Sequence, residues 1–364
     1  MKYIFDSDSE KPIYIQLYEL IRADIIRKAY AYGSKLPSKR LLAEELDIST
    51  VTVQHSYSML AEEGYIETRE RSGYYVIFRE DGGFEGGHSA KHLHLTSLAS
   101  SSDESPDFPF PALARTARYV LAEFGEQILK RTENKGCTEL REAIALYLAR
   151  SRGIYAASDQ IIIGAGSEYL YGLIVKLLGT SRIYAIEAPS YKKIEQVYRS
   201  YGIEPRLLPL GQSGIESESL RSTDADVLHI TPYRSYPSGV SASASKKHEY
   251  LNWSKTGGRF IVEDDFESEF SMSKKYEESL FSNSKNDNVI YMNTFSKTIS
   301  PALRIGYMVL PRGLLAVYES ELEFYSCPVP TYTQLILAEL ISSGEFERHI
   351  NRVRRQRRKN ETTQ

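Results

Sequence analysis

The sequence predicts an amino-terminal winged helix-turn-helix followed, across a polar tether, by a larger three-layer α/β domain. Three observations carry this expectation. Between Pro12 and Ile77, three apolar helical patterns precede two short strand patterns. Beyond Phe108, helical patterns alternate with short β-branched runs. Between them the composition shifts to Gly, Ser, His and Asp, as in Asp81-Gly82-Gly83 and Ala99-Ser100-Ser101-Ser102-Asp103, which reads as a flexible tether. The expected limits are 1–80, 81–106 and 107–364, and a chain of 364 residues is long enough for more than one core.

In the first part, Ile13, Leu17, Leu20, Ile21 and Ile25 recur at helical spacing after Pro12, predicting a helix over 12–29. Gly33 and Pro37 interrupt the pattern. Ser38 then caps Lys39 to Leu46, where Leu41, Leu42 and Leu46 form an apolar face. Asp47-Ile48-Ser49 makes a turn. Thr50 to Glu63 follows as a third helix, with Val53, Tyr57 and Leu60 inward and Thr50, Thr52, Gln54 and His55 outward, and Gly64 ends it. Tyr65 to Arg69 and Tyr74 to Ile77 flank a polar turn and predict a two-stranded wing.

In the second part the runs Gln160–Ile163, Ser181–Ile186, Val227–Ile230, Phe260–Val262, Val289–Met292 and Ile305–Val309 predict a mainly parallel sheet with helices on both faces. Only Cys137 and Cys327 occur, far apart, which argues against a zinc site or a disulfide framework. Without a signal-like amino terminus or about 18 consecutive apolar residues, the expected setting is the cytoplasm, with no membrane span. Net charge is −3, and residues 1–80 hold 11 Lys and Arg against 13 Asp and Glu. DNA binding therefore has to come from a locally basic face.

Such a face is available. A helix entering the major groove needs short polar side chains outward and basic groups beside them for phosphates. Thr50, Thr52, Gln54 and His55 supply the first, and Lys35, Lys39, Arg40, Arg69 and Arg71 the second. Gln54 is suited to adenine, and Gly73 lets the wing backbone approach the minor groove. The alternative is a solvated face on a protein-binding winged helix.

The larger part carries the ingredients of a covalent cofactor site. A Schiff-base lysine needs a desolvated pocket, a partner for the cofactor ring and a phosphate cradle. Lys297 follows a strand in Asn293-Thr294-Phe295-Ser296-Lys297, with Thr294, Ser296 and Arg304 near in sequence, and Asp264 ends an apolar strand where open α/β sheets meet ligands. Gly164-Ala165-Gly166-Ser167-Glu168 joins an Ile-rich strand to an apolar helix, as a phosphate cradle does, although such turns also serve plain packing. Tyr191 is available to stack on a flat ring, or simply to pack. For the acidic run Glu263 to Glu267, a metal site or a solvated turn is the competing reading.

Leu36 to Leu46, Ser49 to Gln54 and Gly64 to Glu67 closely resemble the winged helix of GntR-type bacterial regulators over residues 11–78. From Phe108 to Arg358, Val262 to Phe270, Thr231-Pro232 with Tyr236 to Gly239, and Thr294 to Lys297 with Leu303-Arg304-Ile305 resemble the fold-type I, pyridoxal-phosphate-dependent aminotransferase-like domain of the MocR-type (GabR-like) branch. The resemblance implies that Lys297 forms the internal aldimine, Asp264 pairs with the pyridine nitrogen and Tyr191 stacks. It further implies that Gly166, Ser167, Glu168, Thr294, Ser296 and Arg304 surround the phosphate, and that the protein is a head-to-tail homodimer on paired DNA half-sites.

Several positions depart from that pattern. Thr50 stands where these regulators commonly have arginine. Phe266 replaces a tyrosine that bonds the cofactor's phenolic oxygen, so weaker cofactor binding and a raised aldimine pKa are expected. Arg131 replaces an aromatic that reaches the partner subunit's cofactor phosphate, and still offers a charge to hold it. Tyr233-Arg234-Ser235 replaces Ser-His-Gln, and Lys193 lies where GabR-like members carry a ligand-binding arginine. The chain stops at Gln364, before the small carboxy-terminal subdomain with its carboxylate-binding arginine, and its last helix ends in a basic run from Arg352 to Lys359, read as an exposed flank or an extra DNA contact. The expected function is a DNA-binding regulator controlled by pyridoxal phosphate on Lys297 and by an amine or amino acid effector forming an external aldimine. Full catalytic turnover is not expected. An aminotransferase, or a constitutive DNA binder with a vestigial pocket, are the alternatives.

Overall fold

A computed structural model describes residues 3–6, 9, 11–69, 72–78, 108–271 and 278–362. The chain divides into two compact units, Met1–Ser100 and Ser101–Gln364, and the tether expected at 81–106 lies outside the described residues.

The first unit consists of α1 (Ile13–Ile26), α2 (Lys39–Leu46), α3 (Thr50–Glu62), β1 (Ile66–Arg69) and β2 (Gly73–Val76). Ser38 Oγ accepts from Leu41 N at 3.2 Å and Ser49 Oγ from Thr52 N at 3.0 Å, satisfying donors that the first turn of a helix leaves open. The strands pair antiparallel with Ile66 opposite Val76, making the wing. Leu17, Ile21, Leu42, Val53, Tyr57, Leu60, Ile66 and Val76 form one core. Two expectations are corrected. Helix α1 ends at Ile26 rather than 29, because Lys28 turns left-handed at φ 63°. Leu41 is 49% exposed: so short a helix buries only Leu42 and Ala43, and Leu46 is half-buried.

The second unit runs α4 (Phe110–Phe124), α5 (Thr138–Arg152), β3 (Ile161–Gly164), α6 (Ser167–Leu178), β4 (Tyr184–Ala188), α7 (Lys192–Ser200), β5 (Arg206–Gly211), β6 (Gly214–Ile215), α8 (Ser217–Ser222), β7 (Val227–Ile230), α9 (Ala244–Trp253), β8 (Phe260–Asp264), α10 (Leu280–Asn283), β9 (Val289–Thr294), β10 (Gly306–Val309), α11 (Leu315–Leu322), α12 (Thr331–Ser342) and α13 (Glu345–Thr362). Its sheet has the order β3-β10-β9-β8-β7-β4-β5-β6. Strands β5, β4, β7, β8 and β9 are parallel, whereas β10 is antiparallel to both β9 and β3. Side chains alternate across the sheet. Ile162, Val262, Ile290, Met292 and Met308 pack with residues of α6, α7 and α11, while Ile161, Ile163, Tyr291, Tyr307 and Val309 pack with residues of α5, α12 and α13. These two cores make the three layers.

Register then places the loops. Gly306 stands opposite Gly164 on one side and Thr294 on the other. The turn after β3, the lysine-bearing turn after β9 and Arg304 ahead of β10 therefore meet at the same end of the strands. Asp264 ends β8 opposite Met292, two residues before Thr294.

Candidate functional site

At those strand ends, Asp264 is 3% exposed. Tyr171 on α6 donates its hydroxyl to Asp264 Oδ2 at 2.6 Å, and His229 Nε2 on β7 lies 3.6 Å from the same oxygen. The His229 ring is held by the Tyr198 hydroxyl, 2.6 Å from Nδ1. Oδ1 of Asp264 is buried and has no hydrogen-bond partner among the described residues. An orphaned carboxylate oxygen of this kind costs free energy unless a ligand donates to it.

Gly166 precedes α6 with φ 88°, a left-handed conformation that lets the strand turn sharply into the helix, and a Cβ there would fall 2.9 Å from Arg304 Nη2. Arg304 Nη2 reaches Ala165 O at 3.5 Å and pairs with Glu168, whose other oxygen accepts from Lys193 Nζ at 2.5 Å. Partial burial works against ionisation of Glu168, but hydrogen bonds from Lys193 and Arg304 hold its carboxyl below the usual range. Ser167 opens α6, Thr294 is buried at the end of β9, and Ser296 and Lys297 are half-buried in the turn that follows. Tyr191 immediately precedes α7, its ring edge-on to that of Tyr236 with centroids 6.0 Å apart, and Lys193 Nζ lies 5.9 Å from the Tyr191 centroid. Phe266 lies half-buried two residues after Asp264, and Arg131 bonds Ser326 Oγ and Asn134 Oδ1.

In the first unit, Thr50, Gln54 and His55 are exposed and Thr52 is half-buried with its hydroxyl 2.8 Å from Ser49 Oγ. Lys39 donates to Gln54 Oε1 at 3.2 Å, tying α2 to the outer face of α3. The His55 ring rests edge-on against Tyr14 at 5.7 Å. Lys39 and Lys35 lie 5.9 Å from the Tyr74 and Tyr75 ring centroids, Arg69 lies 4.4 Å from that of Tyr75, and Arg40 is exposed. Basic groups thus gather around the wing tyrosines beside α3. Gly73, at φ 114°, passes beneath Lys35, and Arg71 lies outside the described residues.

Residues 13–76 match the gntR family of bacterial regulatory proteins, and residues 97–364 match aminotransferase class I and II. An HTH-type transcriptional regulator of Bacillus subtilis, YdeL, is 32% identical over 96% of this chain and 77% of its own length. MocR of Rhizobium meliloti, a probable rhizopine catabolism regulatory protein, is 29% identical over 97% of this chain and 76% of its own. The chain is a MocR-type regulator of the GntR superfamily. A pyridoxine biosynthesis regulator of Corynebacterium glutamicum, PdxR, is 29% identical over 93% of this regulator and 75% of its own length. Among solved structures, a Pyrococcus horikoshii kynurenine aminotransferase with PMP (TM-score 0.61, 26% identity, 70% of this chain) and Thermus thermophilus LysN, with N-(5′-phosphopyridoxyl)-L-leucine (0.58, 28%, 68%), share the second unit's fold. The regulator spans just under two-thirds of those two chains, 66% and 64%. Its second unit has the fold-type I aminotransferase-like architecture.

The sequence reading of this MocR-type regulator missed Tyr171, His229 and Tyr198, the side chains behind Asp264. For the acidic run, a metal site or a solvated turn was the competing reading, and the bonds made by its carboxylates go against it. Glu263 is no metal ligand or solvated turn: it accepts from Leu280 N at 2.8 Å and Phe281 N at 2.9 Å, capping α10. Asp265 pairs with Arg152 and accepts from the Tyr291 hydroxyl at 2.8 Å, while Glu269 accepts from Asn293 Nδ2 at 2.6 Å. No group of three or more His, Cys, Asp or Glu arranged to hold a metal occurs among the described residues, and none of the described helices is long and apolar enough to cross a membrane.

Burial, reinforced by Asp265, pushes the Glu263 carboxyl up to about 7, and burial pushes Glu187 up to about 8. A raised carboxyl contributes stability that is complete below its unfolded value and lost as pH rises through its folded value. Burial depresses His349, whose contribution runs the other way but only below its usual 6.5. The urea midpoint, read from the single tryptophan, Trp253, is therefore expected to fall between about pH 6.5 and 8.5, with a shallower fall in Glu263→Gln. A midpoint that rises over that interval contradicts the assignment.

Proposed function

We propose that this MocR-type regulator acts in the cytoplasm as a head-to-tail homodimer on double-stranded DNA, with pyridoxal phosphate held covalently on Lys297. An amine or amino acid entering the same pocket then alters DNA binding. The observation that carries the reading is the Asp264 oxygen left without a partner among the described residues, at the strand ends from which the Lys297 turn departs. Its geometry fits a protonated ring nitrogen, and the cradle of Gly166, Ser167, Thr294, Ser296 and Arg304 fits a phosphate ester. When bound, the cofactor supplies an electrophilic carbon at which amines exchange. Lys297 Nζ holds that carbon, Asp264 holds the proton on the ring nitrogen, and Tyr191 covers the ring. Tyr171 and His229 hold Asp264 in place.

On the DNA side, Thr50, Thr52 and Gln54 face base edges. His55 joins them on that face, while Lys39, Arg40, Arg71 and the backbone at Gly73 meet the phosphates and the wing's groove. An effector moves DNA affinity only if it binds the two presentations of the reading heads unequally. The reading is tested on DNA selected from a random pool for affinity to this protein. Fluorescence anisotropy with pyridoxal phosphate and a panel of amino acids is expected to show a change of about fivefold or more, absent in Lys297→Ala. DNA affinity indifferent to every pocket ligand overturns it.

Phe266 supplies no hydroxyl where a donor to the cofactor's phenolic oxygen is wanted. Phe266→Tyr restores one hydrogen bond to a charged acceptor, about 1.5–3 kcal/mol, and is expected to tighten pyridoxal phosphate binding at least about tenfold by absorbance titration. Unchanged affinity removes Phe266 from the account.

A further inference from the structure

At the start of α6, Glu168 sets an anion against two cations. It is the second residue of α6, and its carboxylate bridges Arg304, in the turn before β10, and Lys193, in the first turn of α7. Arg304 is 52% exposed, Lys193 50% and Glu168 29%, so these ion pairs add little to the stability of the fold. Their position is what matters. The Arg304 guanidinium lies across the Gly164-Ala165-Gly166 turn, within 3.5 Å of Ala165 O, at the helix end whose open N–H groups and positive dipole favour an anion. A carboxylate and a phosphate compete for an arginine in the same way, as charged pairs of oxygens facing a planar fork of donors.

We propose that Glu168 is an internal stand-in for phosphate, which a phosphate ester must displace from Arg304 before it can seat in the cradle. The inference rests on the pocket being a pyridoxal-phosphate site and adds how its occupancy is controlled. Beside a bound phosphate the Glu168 carboxylate is a like charge, so it has to swing out, releasing Arg304 to the ligand and breaking or carrying along its contact with Lys193. The empty pocket is thereby biased against weakly held anions. Only a ligand that also engages Asp264 gains enough to open it.

The test uses the full chain and 4′-deoxypyridoxine 5′-phosphate, which lacks the aldehyde and forms no bond to lysine. By calorimetry at low salt, Glu168→Gln is expected to bind this probe at least tenfold more tightly than the unaltered protein, while binding of unphosphorylated 4′-deoxypyridoxine is unchanged. Glu168→Ala gives the same direction and keeps the test open if the glutamine variant folds poorly. Equal or weaker binding of the phosphate ester by both variants overturns the proposal, as does an equal gain for the unphosphorylated probe. Absorbance titration of the same proteins with pyridoxal phosphate separates the two claims. If no lysine-dependent band forms yet the tenfold gain appears, covalent attachment fails and the competition stands. If the probe binds none of the three proteins, both fail.

Discussion

Arg152→Met is expected to destabilise the second unit by about 3–5 kcal/mol, because it strands a buried charge. Arg152 is 6% exposed and pairs with Asp265, itself 2% exposed. Glu263 and Glu269 lie buried in the same region, their carboxyls pushed up first by burial and then by Asp265. Among the described residues, removing the arginine leaves Asp265 with the Tyr291 hydroxyl as its side-chain partner against these acids. Urea unfolding followed by Trp253 fluorescence measures the loss, and adding Asp265→Asn is expected to recover most of it. A single variant as stable as the parent would show that Arg152 contributes nothing net. The cluster bears on the proposed pocket: Asp265 and Asn293 adjoin Asp264 and Thr294 in the chain and point to the opposite face of the sheet, so loosening it is expected to disturb both.

Asp264→Asn is expected to weaken pyridoxal phosphate binding about 10- to 100-fold, the loss of one charge-assisted hydrogen bond worth about 1.5–3 kcal/mol. The same substitution is expected to leave the urea midpoint of the empty protein unchanged or raised, since it removes a buried carboxylate with one oxygen unpartnered among the described residues. Opposite signs for affinity and stability separate a ligand-binding group from a structural one. A variant that loses stability and retains affinity would make Asp264 a packing residue held by Tyr171 and His229.

Much of this was legible from the chain. The cap Ser38, the inward Val53, Tyr57 and Leu60, and the wing about Gly73 follow local rules that tertiary packing leaves intact, whereas Ser49, read as part of a turn, also caps α3. The six buried strands announced themselves as apolar runs. Strands β5 and β6 did not: Arg206 to Gly211 contains Pro209 and exposes Leu207, as an edge strand does, and β6 is only two residues long. Asp264, at the end of β8, and Lys297, in the turn after β9, stood out as candidates by those places. Tyr171, Tyr198 and His229 were not, since three of many aromatic and polar side chains become partners only when α6, α7 and β7 converge on β8. Glu168 was read as part of the cradle, whereas its side-chain pairing with Arg304 and Lys193 depends on the register of β3, β10 and β9 and on the loop after β4.

The central claim is that Lys297 carries pyridoxal phosphate. Absorbance titration of the purified protein and of Lys297→Ala, followed by borohydride reduction and peptide mass mapping, tests it directly. A long-wavelength band is expected in the parent alone, with the reduced pyridoxyl label on the peptide containing Lys297. No band, or a label spread over other lysines, would contradict it and leave a DNA-binding protein whose aminotransferase-like unit works without the cofactor.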